Sequence, residues 1–222
     1  RQHPQGLVAA WFGGTREGHN DVVIWLSRFN GQSWSAPLEV ADGIQDENVR
    51  FPCWNPVLFA PPSEKVDQAG RLLLFFKVGP TPVGWWGMVM RSEDSGQTWN
   101  KPQKLPGGML GPIKNKPVVL PDGAWLSPSS TENTGWRAHV ERSSDAGASW
   151  KRIGPLNDKT VDVIQPSVLI HRDGKLQLLC RSRKADFIHE SFSSDAGFTW
   201  SAMQPTLLPN NNSGTDAVTL KD

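Results

Sequence analysis

The stretch Ser143-Ser144-Asp145-Ala146-Gly147-Ala148-Ser149-Trp150 decides the fold, because the chain contains its pattern three times. Residues 92–99 and 193–200 repeat the same frame, Ser-x-Asp-x-Gly-x-x-Trp. An Asp carboxylate accepts N–H bonds from the residues that follow it, and glycine adopts positive φ without a Cβ clash. The frame therefore predicts a tight turn between two strands, after which the Trp begins the next strand as a large packing anchor.

The spacing of the repeats indicates the architecture. Trp99, Trp150 and Trp200 follow one another at intervals of 51 and 50 residues. A fourth, degenerate copy over residues 27–34 keeps Ser, Gly and Trp but has Phe29 at the Asp position. One hairpin in about 50 residues is typical of four-stranded propeller blades. The sequence predicts an all-β fold, a β-propeller of four-stranded antiparallel blades. The structural positions of its turns are Asp94, Gly96, Trp99, Asp145, Gly147, Trp150, Asp195, Gly197 and Trp200.

Apolar segments of strand length divide the chain into blades. We predict a partial blade over residues 1–42, complete blades over 53–104, 113–156 and 163–207, and the start of a further blade over 215–222. Turns over residues 121–123 and 172–174 separate first and second strands. We therefore expect a single domain of about four blades over residues 1–222, truncated at both ends.

The amino-acid composition argues against nucleic acid, membranes and metal ions as partners. The chain has 23 basic and 22 acidic residues, and their even mixture gives no electrostatic footprint for nucleic acid. Its apolar runs are too short to insert into a membrane. The five His residues show no metal-ligand spacing, and no cofactor or metal is expected. Cys53 and Cys180 lie beside apolar residues and are predicted to be free buried thiols, which leaves the redox compartment open.

The repeats match the Asp-box, or bacterial neuraminidase repeat, and the chain resembles the sialidase superfamily. The resemblance implies a propeller that is six-bladed when complete. It also implies a secreted or periplasmic protein, although no signal peptide is visible, whose partner is a glycan or a small acidic saccharide. The oligomeric state is left open.

Strand alternation predicts where the ligand binds. The loops between second and third strands, and those between blades, fall on the face opposite the Asp-boxes. Several cations and carboxylates on that face suit a ligand with an anionic group and hydroxyls, because Arg binds a carboxylate with two parallel N–H bonds. The predicted substrate-binding residues are Arg16, Arg50, Asn55, Lys114, Lys116, Glu132, Gln165 and Arg181.

Two carboxyl groups are candidates for general acid, the role that protonates a glycosidic oxygen. Glu17 is the first candidate, and Asp21 remains the alternative. By resemblance, their loop occupies the place of the sialidase general acid, an Asp. The segment from Gln165 to Leu169, with Arg181 downstream, resembles the sialidase stretch in which Glu-Pro opens a blade and Arg closes its second strand. Arg181 would then be the second member of the carboxylate-binding Arg triad.

Three departures from the sialidase pattern keep the function open. Gln165 stands where the family has a Glu, the first triad Arg is not present, and the chain contains no Tyr, the family nucleophile. The leading hypothesis is a sialidase-like exo-glycoside hydrolase that acts on a terminal acidic sugar. The alternatives are a carbohydrate-binding Asp-box propeller without catalysis, and a polysaccharide lyase on the same scaffold.

Overall fold

The computed structural model describes residues 6–62 and 70–220, which form strands and turns and contain no helix. The chain divides into two compact units, Arg1–Leu105 and Pro106–Asp222, and each unit holds two sheets. All strand pairs are antiparallel, and each sheet follows chain order. This is the connectivity expected of propeller blades. The single-domain organisation stays a prediction.

The first unit contains a three-stranded and a four-stranded sheet. Strands β1 (Leu7–Gly13), β2 (Val23–Phe29) and β3 (Leu38–Ala41) form the first sheet, and β4 (Cys53–Phe59), β5 (Leu72–Val78), β6 (Trp86–Ser92) and β7 (Gln103–Lys104) form the second. Every residue of β5 is buried, because the strand lies inside its sheet with the core on its apolar faces. Ile24, Leu74 and Phe76 belong to one core cluster in this unit.

The second unit contains two four-stranded sheets. They comprise β8 (Val118–Val119), β9 (Trp125–Thr131), β10 (Arg137–Ser143) and β11 (Lys151–Ile153), and then β12 (Val163–Ile170), β13 (Leu176–Ser182), β14 (Phe187–Ser193) and β15 (Gln204–Pro209). Leu126, Val140 and Leu178 pack in one cluster, so a common core joins the two sheets. The ends of β9, β12 and β13 carry the side chains discussed below.

The Asp-box turns form as predicted. Asp145 Oδ1 accepts the Ser149 N–H (2.8 Å), while Ser143 Oγ donates to the same carboxylate (2.8 Å) and accepts the Gly147 N–H (2.8 Å). The boxes at Asp94 and Asp195 repeat these bonds. One feature was missed. The residue before the box Gly also has positive φ, at 66° in Ser95, 56° in Ala146 and 57° in Ala196.

The degenerate copy is aligned differently from our prediction. Ser35 N–H donates to the Arg28 carbonyl (2.8 Å), and Ser27 Oγ donates to the Ser35 carbonyl (2.8 Å). Asn30 Oδ1 accepts the N–H groups of the two residues that precede Trp34, at 2.9 Å each. Asn30 thus takes the capping role of the box Asp, whose position in the predicted frame is occupied by Phe29.

The last Asp-box shows the size of the shift. Its equivalent bonds run from Ser201 N–H to the Phe192 carbonyl (2.8 Å) and from Ser191 Oγ to the Ser201 carbonyl (2.7 Å). Ser27 therefore corresponds to Ser191 rather than to the box Ser193. The degenerate hairpin is two residues shorter than an intact box, so strand pairing continues to a bridge between Phe29 and Trp34.

The predicted first strand of a further blade does not form within residues 215–220, and residues 221–222 lie outside the described part of the chain. No described strand pairs with this segment. Three hydrogen bonds attach it to β12: Ser167 Oγ donates to Asp216 Oδ1 (2.9 Å), Ala217 N–H donates to Ser167 Oγ (3.1 Å), and Thr219 Oγ1 donates to the Ile170 carbonyl (3.3 Å).

Candidate functional site

Arg181, next to last in β13, lies at the centre of the candidate site in the second unit. Its Nη1 donates to Gln165 Oε1 at 3.2 Å. Its Nε is buried and has no hydrogen-bond acceptor among the described residues. Burial lowers the pKa of the guanidinium, and nearby Glu132 opposes that effect. Arg181 therefore has a neutral partner and an N–H without a described acceptor.

A β-bulge places Gln165 beside Arg181. The pairing of β12 with β13 is shifted between Ile164 and Ser167, and Gln165 has a φ of 53°. Its carbonyl accepts from Asn115 Nδ2 (3.0 Å), a buried side chain that also donates to Ser167 Oγ (2.9 Å). Bulges redirect side chains next to binding sites, and here the bulge carries Gln165 out of the regular alternation of the strand.

Two guanidinium groups lie against the Trp136 ring. The Cζ atoms of Arg181 and Arg183 are 5.0 and 5.7 Å from the ring centroid, within cation–π range. Asp162 pairs with Arg137 Nη1 at 2.8 Å and with Arg183 Nη1 at 3.6 Å. The charge of Arg183 is therefore partly compensated by Asp162.

Glu132 follows β9 and faces these arginines. Burial raises the pKa of its carboxyl group. The charge of Arg181, the Trp136 indole N–H within hydrogen-bonding reach, and the charge of Arg183 all act in the opposite direction. The carboxyl group is thus balanced between desolvation, which favours its neutral form, and positive charge, which favours its ionised form.

Lys114 supplies a further cation. Its Nζ donates to the Thr215 carbonyl (2.7 Å) and to Asn115 Oδ1 (3.0 Å), and its φ is 70°. Burial lowers the pKa of this ammonium group; Asp216 acts against that effect, and Arg181 adds to it. Lys116, by contrast, is exposed and lines a cavity of about 530 Å³ together with Ser167 and Asp216.

The loop that follows β1 in the first unit holds the predicted general acids. The Asp21 carboxylate accepts the Thr15 hydroxyl and N–H and lies 2.7 Å from His19 Nδ1. The Thr15 hydroxyl is the main reason that the pKa of Asp21 falls from 3.8 to about 2. Asp21 is therefore ionised at neutral pH and stabilises the loop. Glu17 and Arg16 are exposed near the loop tip, and no ion pair joins them in the described structure.

The remaining predicted binding residues of this unit are Asn55 and Arg50. Asn55 has a φ of 43° in a bulge of β4 and precedes a Pro, so it is the counterpart of Gln165. Arg50 has a buried Nε without a hydrogen-bond partner among the described residues. Trp54 packs edge-on against Trp85 with ring centroids 5.8 Å apart. A Cβ added to Gly18, next to Glu17, would lie 3.2 Å from Trp54.

The predicted residues thus fall into two groups. The contacts and charges of the second unit bring together Lys114, Glu132, Gln165 and Arg181. Trp136 was missed, because nothing in the local sequence signals a ring that packs beneath two arginines. Among the described residues, no helix has the length and apolar character to cross a membrane, and no group of three His, Cys, Asp or Glu side chains could hold a metal ion.

The model of the BNR repeat-like domain family matches residues 5–222. The chain belongs to this family. No curated protein sequence matches this BNR repeat-like domain. Solved structures do resemble it, at identities that establish the fold alone.

Three of these structures show the range of the resemblance. A Dyadobacter fermentans protein of unknown function is 18% identical, with a TM-score of 0.71 over 92% of this chain and 66% of its own. A Hadza microbial sialidase is 16% identical, with a TM-score of 0.71 over 94% and 45%. The NanB sialidase of Streptococcus pneumoniae is 13% identical, with a TM-score of 0.72 over 95% and 52%. The chain has a sialidase-like β-propeller fold and spans less than two thirds of the length of these three proteins.

Proposed function

We propose that this BNR repeat-like domain binds the carboxylate of a terminal acidic sugar at Arg181 and acts as a sialidase-like exo-glycoside hydrolase. The observation that carries the proposal is the state of Arg181. Its guanidinium is half-buried, its described hydrogen-bond partner is the neutral Gln165, and its buried Nε has no described acceptor. A partly desolvated guanidinium with spare donors favours a carboxylate, which accepts two parallel N–H bonds.

The surrounding charges support an anionic ligand. Lys114 adds a positive charge that is electrostatically coupled to Arg181, and Trp136 provides a flat apolar surface under the guanidinium groups. Sugar rings present C–H groups that pack on such a surface, while their hydroxyls hydrogen-bond to side chains such as Glu132 and Gln165. The site therefore suits a pyranose that carries a carboxylate.

Hydrolysis further requires a group that protonates the leaving oxygen. Asp21 is ionised at neutral pH and cannot supply that proton. Glu17 is the proposed donor, because its carboxyl group is exposed near the tip of the loop that follows β1.

Fluorogenic 4-methylumbelliferyl glycosides of N-acetylneuraminic acid and glucuronic acid test the proposal. We expect turnover of one of them, a KM raised at least about tenfold by Arg181→Met, and a kcat lowered about 10²- to 10⁴-fold by Glu17→Gln. Arg172→Met, an exposed change at the opposite end of β13, serves as the matched control. Absence of turnover with both substrate classes would remove the hydrolase proposal.

A second candidate is a carbohydrate-binding propeller without catalysis. Gln165 favours it, because an amide cannot accept the proton that the family Glu takes, and none of the 222 residues is a Tyr. Saturable binding of the same sugars without product would support this candidate. Polysaccharide lyase activity, the third possibility, would appear as new ultraviolet absorbance from an unsaturated uronate.

A further inference from the structure

Glu132 is a half-buried carboxyl group held among the cations of the proposed anion site. Thr131 pairs with Arg137 across β9 and β10, so Glu132 and Trp136 are the next residues along these two strands. The Cζ atoms of Arg181 and Arg183 lie 5.0 and 5.7 Å from the centroid of the Trp136 ring. The Trp136 indole N–H lies within hydrogen-bonding reach of the Glu132 carboxyl group. Glu132 follows the last residue of β9, so its backbone is anchored by a core strand. Its charge state therefore depends on neighbours that a ligand would engage.

We propose that an anion bound at Arg181 causes Glu132 to take up one proton from solvent, so that the site binds an acidic sugar together with a proton. This inference rests on the proposed function, because it assumes that Arg181 holds the ligand carboxylate.

The physical reason is a change in the balance of charges around Glu132. In the free site, the positive charge of Arg181 is the largest influence that keeps the carboxyl group ionised against burial. A ligand carboxylate on Arg181 would neutralise that influence and would add a like charge nearby. The ligand would also exclude water from the site. All three changes favour the neutral form of Glu132.

The other charged groups nearby do not replace Arg181. Arg183 is already paired with Asp162, which also binds Arg137. Lys114 and Asp216 are electrostatically coupled to each other, and Lys114 is coupled to Arg181, without a described coupling to Glu132. No described His faces the carboxyl group.

The coupling fixes the sign of the pH dependence. If Glu132 binds a proton with the ligand, the Kd falls as the pH is lowered, by at most about tenfold for each pH unit. The gain ends at the pH where Glu132 is already protonated in the free protein. In the complex, the neutral carboxyl group can donate a hydrogen bond to the ligand.

Calorimetry with N-acetylneuraminate and D-glucuronate tests the linkage on the whole chain. Titrations between about pH 5 and pH 8, each in two buffers of different ionisation enthalpy, give the number of protons taken up. We expect up to about one proton per bound anion, no uptake in Glu132→Gln, and unchanged uptake in Glu190→Gln, a matched change in the same unit. Absence of uptake in the native chain, or the same uptake in Glu132→Gln, would overturn the inference.

A second measurement keeps this inference separate from the proposed function. With ¹³C-labelled glutamate side chains, NMR can follow the titration of Glu132 without any ligand. We expect Arg181→Met to move that titration to higher pH and Arg172→Met to leave it in place. If the titration of Glu132 stays in place in Arg181→Met, the proposed linkage is wrong even if acidic sugars bind. A moved titration without sugar binding would instead remove the proposed function.

Discussion

At the scale of single residues, three of the predicted binding residues have a left-handed backbone conformation. Asn55, Lys114 and Gln165 were predicted to bind substrate from their positions between blades, and Gln165 also from its match to a sialidase motif. Their φ angles are 43°, 70° and 53°. Such conformations cost about 1–3 kcal/mol each and persist where the surrounding structure holds them, often at functional sites. Of the three types, only Asn has a marked preference for this region, so the sequence could not predict the strain at Lys114 and Gln165.

Gln165 gives the sharpest residue-level prediction. Replacing it by Glu puts a carboxylate on Arg181 Nη1, where the amide oxygen now accepts at 3.2 Å. That internal partner would compete with a ligand carboxylate for the same guanidinium. We expect the Kd for N-acetylneuraminate, measured by calorimetry at neutral pH, to rise at least about tenfold in Gln165→Glu.

The control for this prediction is Gln204→Glu, which makes the same charge change on the exposed strand β15. We expect its Kd to match that of the native chain. Tighter binding in Gln165→Glu would show that Gln165 does not set the charge of the site.

The site could be predicted from the sequence only in part. Arg181 and Gln165 were predicted because their spacing matches a sialidase motif, and Lys114 and Glu132 were predicted from strand alternation. Trp136 was not found as a binding residue, because its contact with two arginines depends on how the two sheets of its unit pack. Such a contact joins residues 45 or more positions apart and has no local signature.

At the scale of elements, the box hairpins predict a loss of stability in acid. The pKa values of Asp94, Asp145 and Asp195 fall from 3.8 to about 2, chiefly because the hydroxyl four residues later donates to each carboxylate. Since folding depresses these pKa values, their stabilisation is complete above about pH 4 and is lost as the pH falls through about 2. We expect the Tm of Asp145→Asn to fall less than the Tm of the native chain between about pH 4 and about pH 2.

Thermal melting followed by circular dichroism at several pH values from neutrality to about pH 2 would measure this difference. Asp173→Asn, in the exposed turn between β12 and β13, is the comparison outside the boxes. An Asp145→Asn variant whose Tm falls with acid as steeply as that of the native chain would contradict the role of the carboxylate.

The intact and degenerate hairpins provide a matched pair for packing. Trp150 is half-buried, and its ring centroid lies 6.4 Å from that of Trp125. Trp34 is 50% exposed, and its ring centroid lies 5.4 Å from that of Phe29. In urea unfolding we expect Trp150→Ala to lose about 2–4 kcal/mol. Trp34→Ala should lose less than about 1 kcal/mol. Equal losses would mean that the two hairpins pack alike despite their different turns.

Hairpin positions were predictable because their hydrogen bonds are local. The degenerate copy was misaligned for the same reason, since its Ser, Gly and Trp keep the box spacing while its hydrogen bonds follow a shorter turn. Nothing in residues 27–34 distinguishes these alternatives until the register of β2 and β3 is known.

At the scale of the whole chain, periodicity predicted the sheets. A repeat of about 50 residues that holds one hairpin leaves room for four short strands, and four sheets form in chain order. Periodicity did not predict features that depend on contacts between residues far apart in the sequence. Residues 215–220 have a strand-like pattern without a described strand partner, and the charged residue Lys77 is fully buried in β5.

The two cysteines allow the folding of each unit to be tested by thiol labelling. Cys53 and Cys180 are free and buried, as predicted, and burial raises the pKa of each thiol to about 12. The raised pKa values keep both thiols in the unreactive protonated form near neutral pH, and both side chains are buried. We expect Ellman's reagent to label neither thiol in the native chain and both in concentrated guanidinium chloride, with Cys53→Ser and Cys180→Ser assigning each signal to its unit. Rapid labelling of one thiol in native buffer would show that the unit containing it does not keep its core closed.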